Sequence, residues 1–318
     1  MSTVGFIGLG NVGSKLAGTL VRSGTPTVVL DLDPEAMAPL VSAGARAAGT
    51  PAELAQMCDV VVTCLPSPAA VSQVMESDDG VLNGLDEGDI WVEMSTTDAS
   101  EVVRLGALVA QRGAVAADCP VSGGCHRAAT GNISIFAGCE RSTFERLLPI
   151  LAIMGRRVLH TGELGSASKL KVVTNYLATA NLVAVTEALA ACSKVGLDLG
   201  VAYEAISASS GTSFVHETES QVILNGSRDI NFTMDLVKKD VGLFIAMAQE
   251  AGMQLELAGM VADIFDDGIE RYGPREWSPN IIRRLEDQYE VKVLAPGFPS
   301  EIVDNEPEEL GGEIVARR

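Results

Sequence analysis

The sequence predicts an α/β fold, with a doubly wound, mostly parallel sheet first, then one long linking helix, then an all-α C-terminal domain. Three observations carry this. Apolar β-branched runs alternate with helical periodicity up to about residue 160, the pattern of a parallel sheet covered on both faces. After Gly162 and Gly165 comes an apolar run of about thirty residues without proline, which reads as a single helix. Beyond it the periodicity stays helical until about Ala295, where proline, glycine and acid take over.

Taken in order, Val4 to Gly8 is a short apolar strand that breaks into a glycine-rich turn, and Ser14 to Arg22 has helical spacing. Thr27 to Leu30 is a second strand, ending on Asp31. Asp33-Pro34 caps the next helix, to about Ala43. A short strand near 46–48, a helix from Pro51, the strand DVVVTCL (59–65) and a helix opened by Pro68 continue the alternation. Ile90 to Met94 and Ala114 to Asp118 are further strands, with a helix to Gln111 between them. A glycine-rich loop, the strand NISIFAG, a helix from Ser142 to Met154 and a strand from Arg157 to His160 extend the same sheet. The long helix runs to about Val195 and stops at Gly196. At about 1.5 Å per residue it spans roughly 45 Å, enough to link two domains. Helices follow near 200–209, 213–224, 234–252, 256–268 and 278–289. The expected partition is a dinucleotide domain over 1–163, a helical domain over 164–294 and an acidic tail over 295–318, with no stable core in the tail.

Composition narrows the function. Net charge is −19, from 23 basic against 42 acidic residues, and such a surface repels phosphate backbones and anionic headgroups. Nucleic-acid and membrane partners are therefore not expected. No uninterrupted apolar stretch is expected to span a bilayer, and strand-like sequence from about Thr3 leaves no room for a signal peptide, so the expected location is cytoplasmic. The six cysteines show no CxxC spacing and no metal-like partnering with the three histidines; they read as reduced thiols, and no metal is expected.

The strongest chemical signal is Gly8-Leu9-Gly10-Asn11-Val12-Gly13. Gly8 makes a tight turn, Gly10 lets backbone approach a pyrophosphate, and Gly13 lets the helix pack on the strand. The helix N-terminus then receives the pyrophosphate. Asp31, eighteen residues beyond Gly13 at the end of the second strand, accepts hydrogen bonds from adenosine ribose hydroxyls and repels a 2′-phosphate. No arginine follows it, so NAD is expected over NADP. A second signal is Asp118-Cys119-Pro120-Val121-Ser122-Gly123-Gly124 at a strand end, where Ser122 and the glycine N–H groups can cradle a small carboxylate or simply form a loop. The third is Lys171, Asn175 and Thr179, spaced i, i+4, i+8 on one face of the long helix. On its own that spacing fits either a chemical lysine or a surface lysine on an amphipathic helix.

Together these residues resemble the β-hydroxyacid dehydrogenase family, which includes 3-hydroxyisobutyrate dehydrogenase and tartronate semialdehyde (2-hydroxy-3-oxopropionate) reductase. The similar motifs occur in order: GFIGLGNVG, Leu65-Pro66, Met94-Ser95-Thr96, DCPVSGG, Lys171 with Asn175, and Lys239-Asp240, covering about residues 3 to 290. The resemblance implies a Rossmann-type dinucleotide domain and a helical domain that pairs subunits into a homodimer or homotetramer. It implies reversible NAD(P)-dependent oxidation of a short 3-hydroxy acid to its semialdehyde. It makes Lys171 the proton-transfer residue, Asn175 the substrate-positioning residue, and Ser122, Gly123 and Gly124 the carboxylate loop. Leu65, Pro66 and Thr96 become cofactor contacts, Lys239 lies beside the nicotinamide, and Asp240 holds it.

Some positions depart from the family pattern. Ala167 stands where a second glycine is common, and Lys169 is an unusual neighbour for Lys171; only Lys171 stands four residues before Asn175. Cys125-His126-Arg127 is bulkier and more basic than expected. His126 reads as a loop residue, while Arg127 is either a solvated charge or the ligand of a second anionic group. Two other functions share this fold: an imine reductase, whose members usually replace the lysine, and a non-catalytic dinucleotide-sensing scaffold, which would tend to lose the lysine and carry basic regions.

Overall fold

The computed structural model describes residues 2–317. They divide into two compact units: residues up to Lys171 together with those from Asp304 onward, and Val172–Val303.

The first unit is built on one sheet. Its strands are β1 (Val4–Ile7), β2 (Thr27–Leu30), β3 (Arg46–Ala47), β4 (Val60–Thr63), β5 (Ile90–Glu93), β6 (Val115–Asp118), β7 (Val121–Ser122), β8 (Ile133–Gly138), β9 (Gly155–Gly162) and β10 (Gly312–Glu313). The first six are parallel in the order 3-2-1-4-5-6, with the order reversing between β1 and β4. Beyond β6 the sheet turns: β8 is antiparallel to β6, and β9 and β10 run parallel to β8. The strands are apolar on both sides because both faces are covered. Val4 and Phe6, Val60 and Val62, and Ile90 and Val92 face one core with Leu16, Leu20 and Phe144. Their alternates Ile7, Val61 and Trp91 face the other with Leu54, Met75 and Leu105.

The helices start where side chains satisfy their first N–H groups. Asp33, Thr50 and Ser67 accept from Glu35, Glu53 and Ala70, and each is followed by proline at the first helical position, in α2 (Pro34–Ser42), α3 (Pro51–Gln56) and α4 (Pro68–Glu76). By contrast no side chain caps α1 (Gly13–Arg22), which follows the glycine turn. The sheet helices are completed by α5 (Ala99–Gln111) and α7 (Arg141–Met154). Between them α6 (Gly124–Thr130) stands where only a loop was expected; its first residue has φ +86°, and Gly131 at φ +76° ends it.

The long helix α8 is Ser166–Lys194, close to the expected limits. By length and composition it is apolar enough to cross a membrane, contrary to the expectation that no stretch would be. Its buried residues Leu182, Val185 and Leu189 belong to the core of the second unit instead. That unit continues with α9 (Leu199–Ser207), α10 (Phe214–Asn225), α11 (Met234–Glu250), α12 (Glu256–Tyr272) and α13 (Arg283–Tyr289), the last preceded by a 3-10 turn over Ser278–Ile282. Phe232 packs on this core.

The largest departure is the C-terminal segment. Ala295 and Phe298 pack on the helical core, and the chain from Asp304 joins the dinucleotide unit. Gly312 and Glu313 pair with Arg157 and Val158, making β10 the edge strand. Gly311 N–H donates to Ala152 and Ile314 N–H to Val158, each at 2.8 Å. Arg156 bonds Glu309 at 2.7 Å, and Arg141 forks onto Glu313 at 2.6 and 2.9 Å. The division into compact units falls inside α8, after Lys171, and the segment from Asp304 is grouped with the first unit, where β10 pairs with β9. Arginines spread along the first unit meet the tail's carboxylates, a long-range complementarity that local composition does not reveal.

Candidate active site

Four chain segments converge at the carboxyl ends of the central parallel strands: the glycine turn after β1, Leu65-Pro66 after β4, Ser95-Thr96 after β5, and Asp118–Gly124 after β6. The reversal of strand order between β1 and β4 is where an open α/β sheet receives a ligand.

The glycine turn has the shape a dinucleotide needs. Gly8 has φ +95°, and a Cβ there would lie 2.3 Å from the Cys64 carbonyl oxygen. At Gly13 a Cβ would lie 2.0 Å from the Gly8 oxygen, so helix and strand approach this closely only with glycine. Gly10 is exposed, with nothing within 4 Å of its Cβ position, which leaves its backbone open to a phosphate. Asn11 beside it is exposed, Val12 half-buried and Leu9 buried. The uncapped first turn of α1 supplies the anion-binding end. Asp31 is tied to this turn: its Oδ2 accepts Leu9 N–H at 2.6 Å and its Oδ1 accepts Asp33 N–H at 2.9 Å. Each oxygen keeps a lone pair for a ribose hydroxyl. These residues fit the dinucleotide read from the sequence.

The loops after β4 and β5 are joined by a buried network that the sequence reading missed. Glu93 is fully buried; it accepts Ser95 N–H and the Thr63 hydroxyl, each at 2.6 Å. Ser95 Oγ in turn accepts Leu65 N–H at 2.7 Å, so one carboxylate fixes both expected cofactor loops. Burial pushes the Glu93 carboxyl up to about 7, although the hydrogen bonds from Ser95 and Thr63 oppose it. The available signal was a glutamate ending an otherwise apolar strand.

Asp118 plays a similar part for α8. It too is fully buried, and it accepts Gly165 N–H at 2.8 Å, Ser168 N–H at 2.6 Å and the Ser168 hydroxyl at 2.8 Å. Gly138 opposite it in the sheet makes room, since a Cβ there would lie 2.3 Å from Oδ1. This carboxylate therefore caps the helix that carries Lys171, three residues beyond Ser168. Burial raises its pKa, against the pull of those hydrogen bonds. Ala167 is buried inside the first turn, so the missing glycine is accommodated without breaking the helix.

Lys171 is only 8% exposed, whereas Lys169 faces solvent, which separates the two lysines that sequence alone leaves close. One turn on, Asn175 donates from Nδ2 to Asp240 Oδ2 at 2.6 Å. Asp240 is buried on α11, and its Oδ1 forms an ion pair with Lys239 Nζ at 3.1 Å. The structure thus brings Asn175, Asp240 and Lys239 together. The Thr179 hydroxyl donates to the Asn175 carbonyl within its own helix. In the loop expected to bind a carboxylate, Ser122 is half-buried on β7, and Gly123 has φ +132°. Arg127, on α6, donates to Glu306 at 3.0 Å.

A family model described as the NAD-binding domain of 6-phosphogluconate dehydrogenase matches residues 3–162. A second, described as NAD-binding of NADP-dependent 3-hydroxyisobutyrate dehydrogenase, matches residues 165–285. The chain is 32% identical over 291 residues to 2-(hydroxymethyl)glutarate dehydrogenase of Eubacterium barkeri, covering 91% of this chain and 97% of that one. The chain belongs to the β-hydroxyacid dehydrogenase family. It is an oxidoreductase that uses a nicotinamide dinucleotide. Mitochondrial 3-hydroxyisobutyrate dehydrogenase of Rattus norvegicus is 32% identical over 247 residues, covering 76% of this chain and 74% of that one. Among solved structures, 3-hydroxyisobutyrate dehydrogenase from Salmonella typhimurium superposes with a TM-score of 0.82 at 28% identity, over 89% of this chain and 99% of that one.

Proposed function

We propose that this β-hydroxyacid dehydrogenase interconverts a short 3-hydroxy acid and its semialdehyde with NAD, and that Lys171 carries the proton. The observation that supports this most is the burial of Lys171 on a capped helix, one turn before an asparagine whose amide is fixed by Asp240. A bound nicotinamide supplies the hydride acceptor or donor. Lys171, as the neutral amine, accepts the hydroxyl proton when the acid is oxidised, and as the ammonium returns it to the carbonyl oxygen in reduction. Asn175 orients the reacting carbon's substituents, and its hydrogen bond to Asp240 restricts its rotamer. Ser122, Gly123 and Gly124 bind the substrate carboxylate, with Arg127 at the edge of that loop. Lys239 and Asp240 act beside the nicotinamide, and Leu65, Pro66 and Thr96 contact the cofactor.

Asp31 favours NAD, because a 2′-phosphate would face its carboxylate and Leu32 offers no positive charge. The exposed apolar residues Leu177, Leu257 and Met260 support a homodimer or homotetramer; the net charge of −19 supports a cytoplasmic enzyme without nucleic-acid or membrane partners. The imine-reductase and scaffold readings lack support, since both would tend to dispense with the buried lysine. The test is NAD and NADP reduction over a panel of 3-hydroxy acids of varied side chain and charge. The expected result is turnover of a short 3-hydroxy acid with NAD preferred; no reduction across the panel contradicts the assignment.

A further inference from the structure

The sequence left Arg127 open between a solvated charge and a ligand for a second anionic group, and the structure supplies an unforeseen partner. The stem of Arg127 lies over the carboxylate loop: a Cβ on Gly123 would sit 3.3 Å from Arg127 Cδ. Its guanidinium donates from Nη2 to Glu306 Oε1 at 3.0 Å. Glu306 is delivered by anchored chain. Its N–H donates to Asp304 Oδ1 at 3.2 Å, and its carbonyl accepts Asn132 Nδ2, also at 3.2 Å. Asp304 is itself held by Asn132 at 2.7 Å and by the Thr130 hydroxyl at the end of α6. Hydrogen bonds from those two residues keep the Asp304 carboxyl below the ordinary carboxylate range, against the effect of burial. The matched family models end at residue 285, so this strap lies beyond them.

We propose that Glu306 is a specificity residue: by holding Arg127 it sets how much negative charge a substrate on the Ser122–Gly124 loop carries. This rests on the reading of that loop as the carboxylate site. A monocarboxylate needs only the loop. A hydroxy acid with a second carboxylate or a sulfonate competes with Glu306 for the Arg127 guanidinium. The pair is built for such exchange, with side chains 26% and 46% exposed, where an ion pair is weak and water replaces a lost partner readily. Selectivity is then a difference between two affinities, with Glu306 acting against the dianion.

The test compares kcat/KM for 3-hydroxypropionate and for 2-(hydroxymethyl)glutarate in the parent enzyme, Glu306→Gln, Arg127→Ala and the double variant. Where the dicarboxylate is not turned over, its inhibition constant against the monocarboxylate is read instead. Glu306→Gln is expected to shift preference towards the dicarboxylate by about threefold or more, the scale of one exposed ion pair. The gain should come through KM and should vanish in the double variant. A smaller shift, or a gain that persists without Arg127, overturns the proposal. Ser122→Ala separates the two levels: a raised KM for the monocarboxylate keeps the loop assignment whatever Glu306 does, and an unchanged KM removes it.

Discussion

Asp118 and Glu306 are both carboxylates that hold part of the proposed site, and their surroundings differ completely. Asp118 has no solvent exposure and accepts three hydrogen bonds from the first turn of α8. Glu306 is half-exposed and pairs with one guanidinium. The partners of Asp118 have no water to turn to, so their geometry is fixed and losing the carboxylate strands buried donors. The partner of Glu306 can exchange with water or another anion at little cost. Burial makes one carboxylate an anchor, and exposure makes the other adjustable.

The sharpest way to break this contrast is to remove the anchor. Asp118→Ala leaves the Gly165 and Ser168 donors unpaired and should cost roughly 3 kcal/mol or more of stability. Turnover should fall by about a hundredfold, because a small misplacement of Lys171 is amplified in the reaction. Thermal melts and steady-state kinetics check both, and Asp118→Asn should recover part of each. A loss no larger than that of Glu306→Gln would erase the distinction.

Glu93 sharpens the contrast through pH. Its carboxyl titrates at about 7 in the folded chain against 4.5 ordinarily, so the folded chain binds the proton more tightly. Stability contributed by this group therefore falls as pH rises from about 4.5 to about 7, by up to about 3 kcal/mol, and changes little above that window. Glu93→Gln removes the titration. Relative to the variant, the parent should lose melting temperature between pH 5 and pH 8; parallel profiles would count against the buried ionisation.

Asp31 is intermediate, partly buried and tied to two backbone N–H groups. Asp31→Ala with Leu32→Arg should move the NADP to NAD ratio of kcat/KM upward by about tenfold, the scale of one charge reversed at a phosphate. An unchanged ratio would place cofactor selection elsewhere. The smallest effect belongs to the strap. The Arg141 fork holds the Glu313 carboxyl below its ordinary range, so that contact is present at neutral pH and lost in acid. Glu313→Gln should shift the melting temperature by no more than about 2 °C at pH 7.

The parts of this molecule that the sequence announces are those where backbone geometry admits few residue types. Gly8 and Gly13 are readable because any Cβ there would collide with backbone, and the limits of α8 because its apolar run begins after Gly165 and ends before Gly196. The proline-led helix starts are readable for the same local reason. Glu93 and Asp118 were visible only as acids ending apolar strands; what they hold lies up to 50 residues away in the chain. The strap was hidden because β10 contains only Gly312 and Glu313, and its fixed conformation comes from arginines at 127, 141 and 156. Helix α6 was hidden because two glycines at positive φ open it, a start that no local capping signal marks.

The central claim concerns Lys171, and Lys171→Ala tests it most directly, with turnover of the best 3-hydroxy acid and NADH affinity by fluorescence measured on the same preparation. The account predicts a loss of turnover of about a hundredfold or more with NADH affinity nearly unchanged. Turnover retained within about tenfold of the parent would contradict proton transfer by this lysine.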